Sequence, residues 1–207
     1  MRLRLMLVAA ALFLSSCWWV GPPFYKGNPA DPGPIGPGLY RVDMDGDKDS
    51  PHAIRIAWRA DGSLLFSPIK PRKGDRAVSF VMVRFAVPGR ALWIVQSPNG
   101  ASGSDRYEYG LAEMRGDTLV MMPAIDCDST ADIVRAAGGT VSGGNLATND
   151  TDDVAVNATD RIPAADPTPT GQDCSFPDRV TLERALRAYV TANPNAAMPV
   201  RLTRIGK

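Results

Sequence analysis

Val78-Ser79-Phe80-Val81-Met82-Val83-Arg84-Phe85-Ala86-Val87-Pro88-Gly89-Arg90-Ala91-Leu92-Trp93-Ile94-Val95-Gln96 is the stretch whose reading decides the fold. Val78 to Val87 is apolar on both faces and rich in β-branched side chains, which fits a central strand covered on both sides. Pro88 fixes φ at the second position of a turn and Gly89 is free to take positive φ at the third, a type II arrangement. Arg90 to Gln96 then returns antiparallel. A hairpin of this kind cannot stand alone in water and needs further strands on either side.

Those strands are legible outward in both directions. Upstream, Ile54, Ile56 and Trp58 alternate with Arg55 and Ala57, a period of two that marks a half-buried strand. Ala60-Asp61-Gly62-Ser63 turns the chain into Leu64-Leu65-Phe66, a second hairpin. Downstream, Tyr107 to Met114 and Leu119 to Met122 pair across Gly116-Asp117. Short strands separated by turns predict a meander, as one curved sheet or a partly closed barrel.

Past Met122 the chain changes character. Ser129-Thr130-Ala131-Asp132 reads as a capping box opening a short helix over Ile133 and Val134, with Gly138-Gly139 closing it. Residues 139–173 are rich in Gly, Asn, Asp, Thr and Pro. Between 126 and 178 there are ten Asp and no Glu against Arg135 and Arg161, a composition that predicts a mobile acidic insertion. Leu182, Ala185, Leu186, Tyr189 and Val190 then fall on one stripe of a helix, capped by Asp178 or Ser175 and ended by Asn193-Pro194. Val200 to Arg204 reads as a last strand rejoining the sheet. The expected fold class is therefore α+β: a mostly antiparallel meander, one short helix and a C-terminal amphipathic helix.

At the other end, Arg2 and Arg4 precede ten apolar residues, Leu5 to Leu14, a charged region followed by a hydrophobic one as in an export signal. Ten helical residues rise only about 15 Å, half of a bilayer core. Leu14-Ser15-Ser16-Cys17 follows, and it resembles the lipobox of bacterial lipoprotein precursors. The resemblance covers the first 17 residues. It implies a signal peptide over 1–16, removed by cleavage before Cys17, and a diacylglycerol (palmitate-type) thioether on Cys17. Two or more acyl chains anchor a protein stably where one does not. Trp18 stands where an inner-membrane retention signal would carry Asp, so the resemblance implies the outer membrane, facing the periplasm. Trp18 and Trp19 also suit a headgroup interface. Residues 17–38 are dense in Pro and Gly, from Gly21-Pro22-Pro23 to Pro34-Ile35-Gly36-Pro37-Gly38, and read as an extended tether, with a single globular domain over 39–207.

Charge narrows the function. Of 23 basic residues, Arg2 and Arg4 leave with the signal, so the mature part carries 21 against 22 acidic ones. That balance, in an exported chain, argues against nucleic acid as a partner. Export also sets the redox state: with Cys17 acylated, Cys127 and Cys174 remain in an oxidising compartment and are expected to form a disulfide around the insertion.

Motifs for chemistry are sparse. His52 is the one histidine, and no Gly-x-Ser-x-Gly accompanies it, so hydrolytic triads and zinc sites are poorly served. Asp43-Met44-Asp45-Gly46-Asp47-Lys48-Asp49 resembles a calcium loop in its alternating carboxylates. Counting back from Gly46, however, puts Arg41 in the first ligand position, and no Glu closes the loop. Lys70-Pro71-Arg72-Lys73-Gly74-Asp75-Arg76 is a basic connection able to meet anionic groups. Ser97 to Tyr107, with Ala101-Ser102-Gly103 ahead of the tyrosine, faintly resembles the loop of membrane-bound lysozyme inhibitors, though Asp105 interrupts it and the upstream cysteine is missing. No metal or cofactor site is expected. The leading expectation is a lipid-anchored, non-enzymatic envelope protein with a structural or partner-binding role, and its alternative is a small-molecule binder using the concave face of the sheet.

Overall fold

The computed structural model describes residues 18–31, 33–47, 52–71, 76–98, 106–142 and 173–206. Eleven strands and two helices lie among them. The strands are β1 (Trp19–Gly21), β2 (Gly38–Met44), β3 (His52–Trp58), β4 (Leu64–Pro68), β5 (Val78–Val87), β6 (Arg90–Pro98), β7 (Tyr107–Arg115), β8 (Thr118–Met122), β9 (Thr140–Ser142), β10 (Asp173–Ser175) and β11 (Val200–Gly206). The helices are α1 (Ala131–Ala137) and α2 (Arg179–Ala192).

Eight of the strands close on themselves. The order runs β6-β5-β4-β3-β2-β11-β8-β7, and β6 pairs with β7 to complete the ring. Every pairing in it is antiparallel. The sheet is therefore a closed barrel and not an open curved one. Closure removes the exposed edges that an open meander would leave. The last strand makes it possible by sliding between β8 and β2, with Leu202 opposite both Leu119 and Val42.

The period of two sorts the side chains into two cores. In β6, Val95 and Trp93 face the barrel interior with Met82, Ile56 and Leu64, while Leu92 and Ile94 face outward. The outward set lies beneath α2, packed with Leu182, Ala185 and Leu186. This is why β5 reads as apolar on both faces: Met82 fills the interior, and Phe85 lies under the Arg187 guanidinium of α2. At the hairpin tip Val87 pairs with Arg90, and Gly89 takes φ +74° as the turn requires.

The helix α2 starts at Asp178, whose carboxylate accepts from the Thr181 backbone N–H at 2.7 Å, and ends at Asn193. Its buried stripe is Leu182, Ala185, Leu186 and Val190. At α1 the expected capping box is not formed. Thr130, not Ser129, is the N-cap, and its hydroxyl donates to the Asp126 carbonyl at 2.5 Å while accepting from Trp19 Nε1 at 2.7 Å. The packing of a fully buried indole has taken the oxygen that a helix cap would have used.

That indole also overturns the tether. Trp19 and Val20 are buried in β1, which pairs with the start of β7 where β8 has turned away. Trp19 packs 5.1 Å from the Phe176 ring and 6.0 Å from Tyr189. Tyr25 is buried too, with its backbone N–H and C=O both held by the Gln96 amide. Farther on, a Cβ on Gly27 would lie 2.3 Å from the Asp61 carbonyl oxygen, so the chain crosses the β3–β4 turn in backbone contact. The described fold thus already includes Trp18, ahead of Leu39, and Trp19 is a core residue, unavailable to a lipid interface. Pro and Gly suit a segment laid along a sheet surface, and the aromatic residues between them hold it there.

The insertion is likewise shorter than its composition implies. Thr140–Ser142 and Asp173–Ser175 pair as β9 and β10, and β10 runs parallel to β1 with Cys174 opposite Trp19. Residues 143–172 lie outside the described residues.

Candidate functional site

The barrel's two ends differ. The end that carries the β3–β4, β5–β6 and β7–β8 turns is covered by the segment leading into β2. Ile35 joins the interior core there, and the Tyr40 hydroxyl donates to the Gly36 carbonyl at 2.8 Å. A Cβ on Gly33 would meet Met82 Cβ at 3.0 Å, so the covering segment lies close against the interior. The middle is filled by Ile56, Leu64, Met82, Val95, Ala112 and Leu119.

At the opposite end the filling by the described residues stops short. A depression of about 250 Å³ opens there, walled by Val42, Ile54, Phe66, Phe80, Met121 and Leu202 and rimmed by Val78, Val200 and Arg76. Hairpin register builds the wall. Leu64 stands opposite Phe80 and Phe66 opposite Val78, which brings the Phe66 and Phe80 rings to 4.6 Å on the inward face. Strand ends from β2, β3, β4, β5, β8 and β11 all contribute, so no single motif in the sequence could announce the site. Among the described residues the lining is almost wholly apolar, and the one ionic side chain along it is Arg76.

Charged residues around this end are largely paired. Arg41 holds Asp43 at 3.0 Å, Arg201 holds Asp45 at 2.5 Å, and His52 Nε2 lies 2.7 Å from Asp47. The carboxylates of the calcium-like loop therefore reach to three separate side chains, Arg41, Arg201 and His52, instead of converging; Asp49 lies outside the described residues. Among the described residues no group of three His, Cys, Asp or Glu side chains is placed to hold a metal ion. His52, the candidate for hydrolytic chemistry, is engaged by this aspartate.

The other sequence candidates are dispersed. Cys127 and Cys174 form a buried disulfide, Cα to Cα 5.4 Å, with Cys174 opposite Trp19 of β1, and neither lines the depression. Cys17 lies outside the described residues, as do 72–75 of the basic connection and 99–105 of the serine-rich loop. Lys70 and Arg76 flank the former, and Ser97 and Pro98 pair with Glu108 and Tyr107 beside the latter. Glu108 shares a face of β7 with the inward Ala112, and burial pushes its carboxyl above the ordinary glutamate range. It does not line the depression. Glu113 points the other way, held low by hydrogen bonds from Arg90, whose guanidinium meets it at 2.9 and 3.1 Å. Burial and the neighbouring Glu183 carboxylate raise the Tyr25 phenol, and burial raises that of Tyr109, which donates to the Pro22 carbonyl. These tyrosines secure the N-terminal segment.

A second depression, over the start of α1, is polar and lined by Asp128, Asp132 and Arg135, of which the last two pair at 2.9 Å. No described helix is long and apolar enough to cross a membrane. Compared with protein families, curated proteins and solved structures, the chain matches none.

Proposed function

We propose that this chain is a lipid-anchored protein of the bacterial envelope that holds one apolar chain in the open end of its barrel. The observation that carries the second half is the apolar depression of about 250 Å³ at the barrel mouth. Sites for drug-sized ligands are commonly about 300–1,000 Å³, so this one suits a narrow occupant. The anchoring half rests on Leu14-Ser15-Ser16-Cys17. Acylation of Cys17 would put the lipid one residue, about 4 Å of chain, from the folded domain, since Trp18 already bridges to Asp126. The barrel would then ride against the membrane surface, in the outer membrane on the periplasmic side, and not on a long tether.

A protein-binding role has less to stand on. The exposed Trp58, Val180 and Ile205 sit on β3, α2 and β11, which do not pair with one another, and scattered apolar side chains are ordinary on a surface.

Two measurements test the reading. Metabolic labelling with palmitate should mark the wild-type chain and not Cys17→Ser; a labelled variant overturns the anchor. Calorimetry with decanol should give one saturable site. A methylene takes about the room of a water molecule, about 30 Å³, so the depression admits roughly eight carbons. At about 0.8 kcal/mol per buried CH₂ the gross gain is about 6 kcal/mol, which corresponds to a Kd of about 0.04 mM before ordering costs weaken it. No heat of binding up to the solubility of decanol overturns the site.

A further inference from the structure

We infer that the occupant of the barrel mouth is a single-chain anionic amphiphile of the fatty-acid type, its chain against Phe66 and Phe80 and its carboxylate on Arg76. The inference rests on the reading of the mouth as an apolar ligand site and adds the chemical class of ligand.

Arg76 stands just ahead of β5 on the rim of the depression, and among the described residues no carboxylate pairs with its guanidinium. At the same end Arg41 and Arg201 are already held by Asp43 and Asp45. Among the described residues of the rim, Arg76 is thus the cation left to meet a ligand. A guanidinium presents a planar fork that matches a carboxylate through two parallel hydrogen bonds. The wall below it, formed by Val42, Ile54 and Met121 with the two phenylalanines, has no hydrogen-bonding side chain. A polar group carried deep into it would lose its water without a partner, so the tail must be hydrocarbon. The room for roughly eight carbons limits the tail to one chain. Charge at the rim and hydrocarbon below, in one narrow opening, describe a medium-chain fatty acid better than a neutral apolar molecule or a two-chain lipid.

The test uses the full mature chain with Cys17→Ser, exported through an ordinary cleavable signal so that it is free of lipid and detergent. Decanoate, decanol and decyltrimethylammonium are titrated calorimetrically, each below its micelle threshold, at neutral pH and low salt. Wild type should bind decanoate about fivefold more tightly than decanol, with the cation weakest. Arg76→Gln should bring decanoate down to the affinity of decanol and leave decanol unchanged. Arg76→Lys, which keeps the charge and loses the fork, should fall between. Val78→Asp, an exposed rim change that leaves the core intact, should weaken decanoate most. Equal affinities for decanoate and decanol in wild type overturn the anionic class while leaving the apolar site standing. So does an Arg76→Gln variant that loses both ligands equally. Binding of none of the three overturns the apolar site itself, and the inference with it.

Discussion

Replacing Trp19 by alanine would remove the side chain that ties the N-terminal segment to the domain. The indole is fully buried, contacts the Phe176 and Tyr189 rings, and donates to Thr130 Oγ1 at 2.7 Å. Truncating a buried tryptophan to alanine typically costs about 3–5 kcal/mol. Losing the donor adds little here, because the Thr130 hydroxyl keeps its bond to the Asp126 carbonyl. Against a typical total of about 5–15 kcal/mol, that loss is at least about a fifth of wild-type stability and at most about all of it. Trp19→Phe keeps most of the packing and loses the N–H, and should cost about 1–2 kcal/mol. Urea unfolding of the lipid-free mature chain, followed by far-UV circular dichroism, gives both values from midpoints at constant m. A Trp19→Ala cost below about 1 kcal/mol would refute the reasoning, since it is what a tether residue would give.

Three further outcomes follow from the same contacts. Replacing both Cys127 and Cys174 by alanine should cost about 4 kcal/mol, the chain-entropy estimate for a separation of 47 residues, and thiol titration of unreduced, denatured Cys17→Ser protein should find no reactive group. Glu108→Gln should stabilise the domain at pH 7 by less than about 1 kcal/mol after solvent screening. The sign comes from burial: with the folded carboxyl raised above its unfolded value, stability is full in acid and falls as pH rises through the folded value, so the gain should vanish near pH 3. A gain that persists in acid would assign it to packing instead. Calcium at millimolar concentration should give no saturable heat, because Asp43, Asp45 and Asp47 are drawn to Arg41, Arg201 and His52; a site lost in Asp45→Ala would contradict this.

The β5–β6 hairpin was legible because its two faces and its turn chemistry are local properties. Closure was not. It depends on β11 entering between β8 and β2, where Leu202 meets Leu119 and Val42 from far along the chain. The two-residue period tells which side chains share a face, but not that the face bends round to enclose them. The segment 18–38 misled for a related reason: its Pro and Gly content describes backbone stiffness, whereas its burial comes from Trp19 and Tyr25, and an aromatic pair scattered through proline carries no period. The same holds for the barrel mouth. Its walls come from six strand ends, and Arg76 belongs to a basic connection that looks like any solvated loop until the register brings its end to the rim of the depression. The disulfide, by contrast, followed from counting the cysteines that the expectation of export leaves to pair.

The most direct test of the account is a map of where an apolar chain binds. Decanol titrated into the isotopically labelled, lipid-free mature chain should shift amide resonances of Ile54, Phe66, Val78, Phe80 and Leu202 in nuclear magnetic resonance spectra. Those of Ile35 and Tyr40, at the covered end, should stay in place. Shifts centred on Trp58 or Ile205, or none at all, would contradict a ligand site at the open end of the barrel.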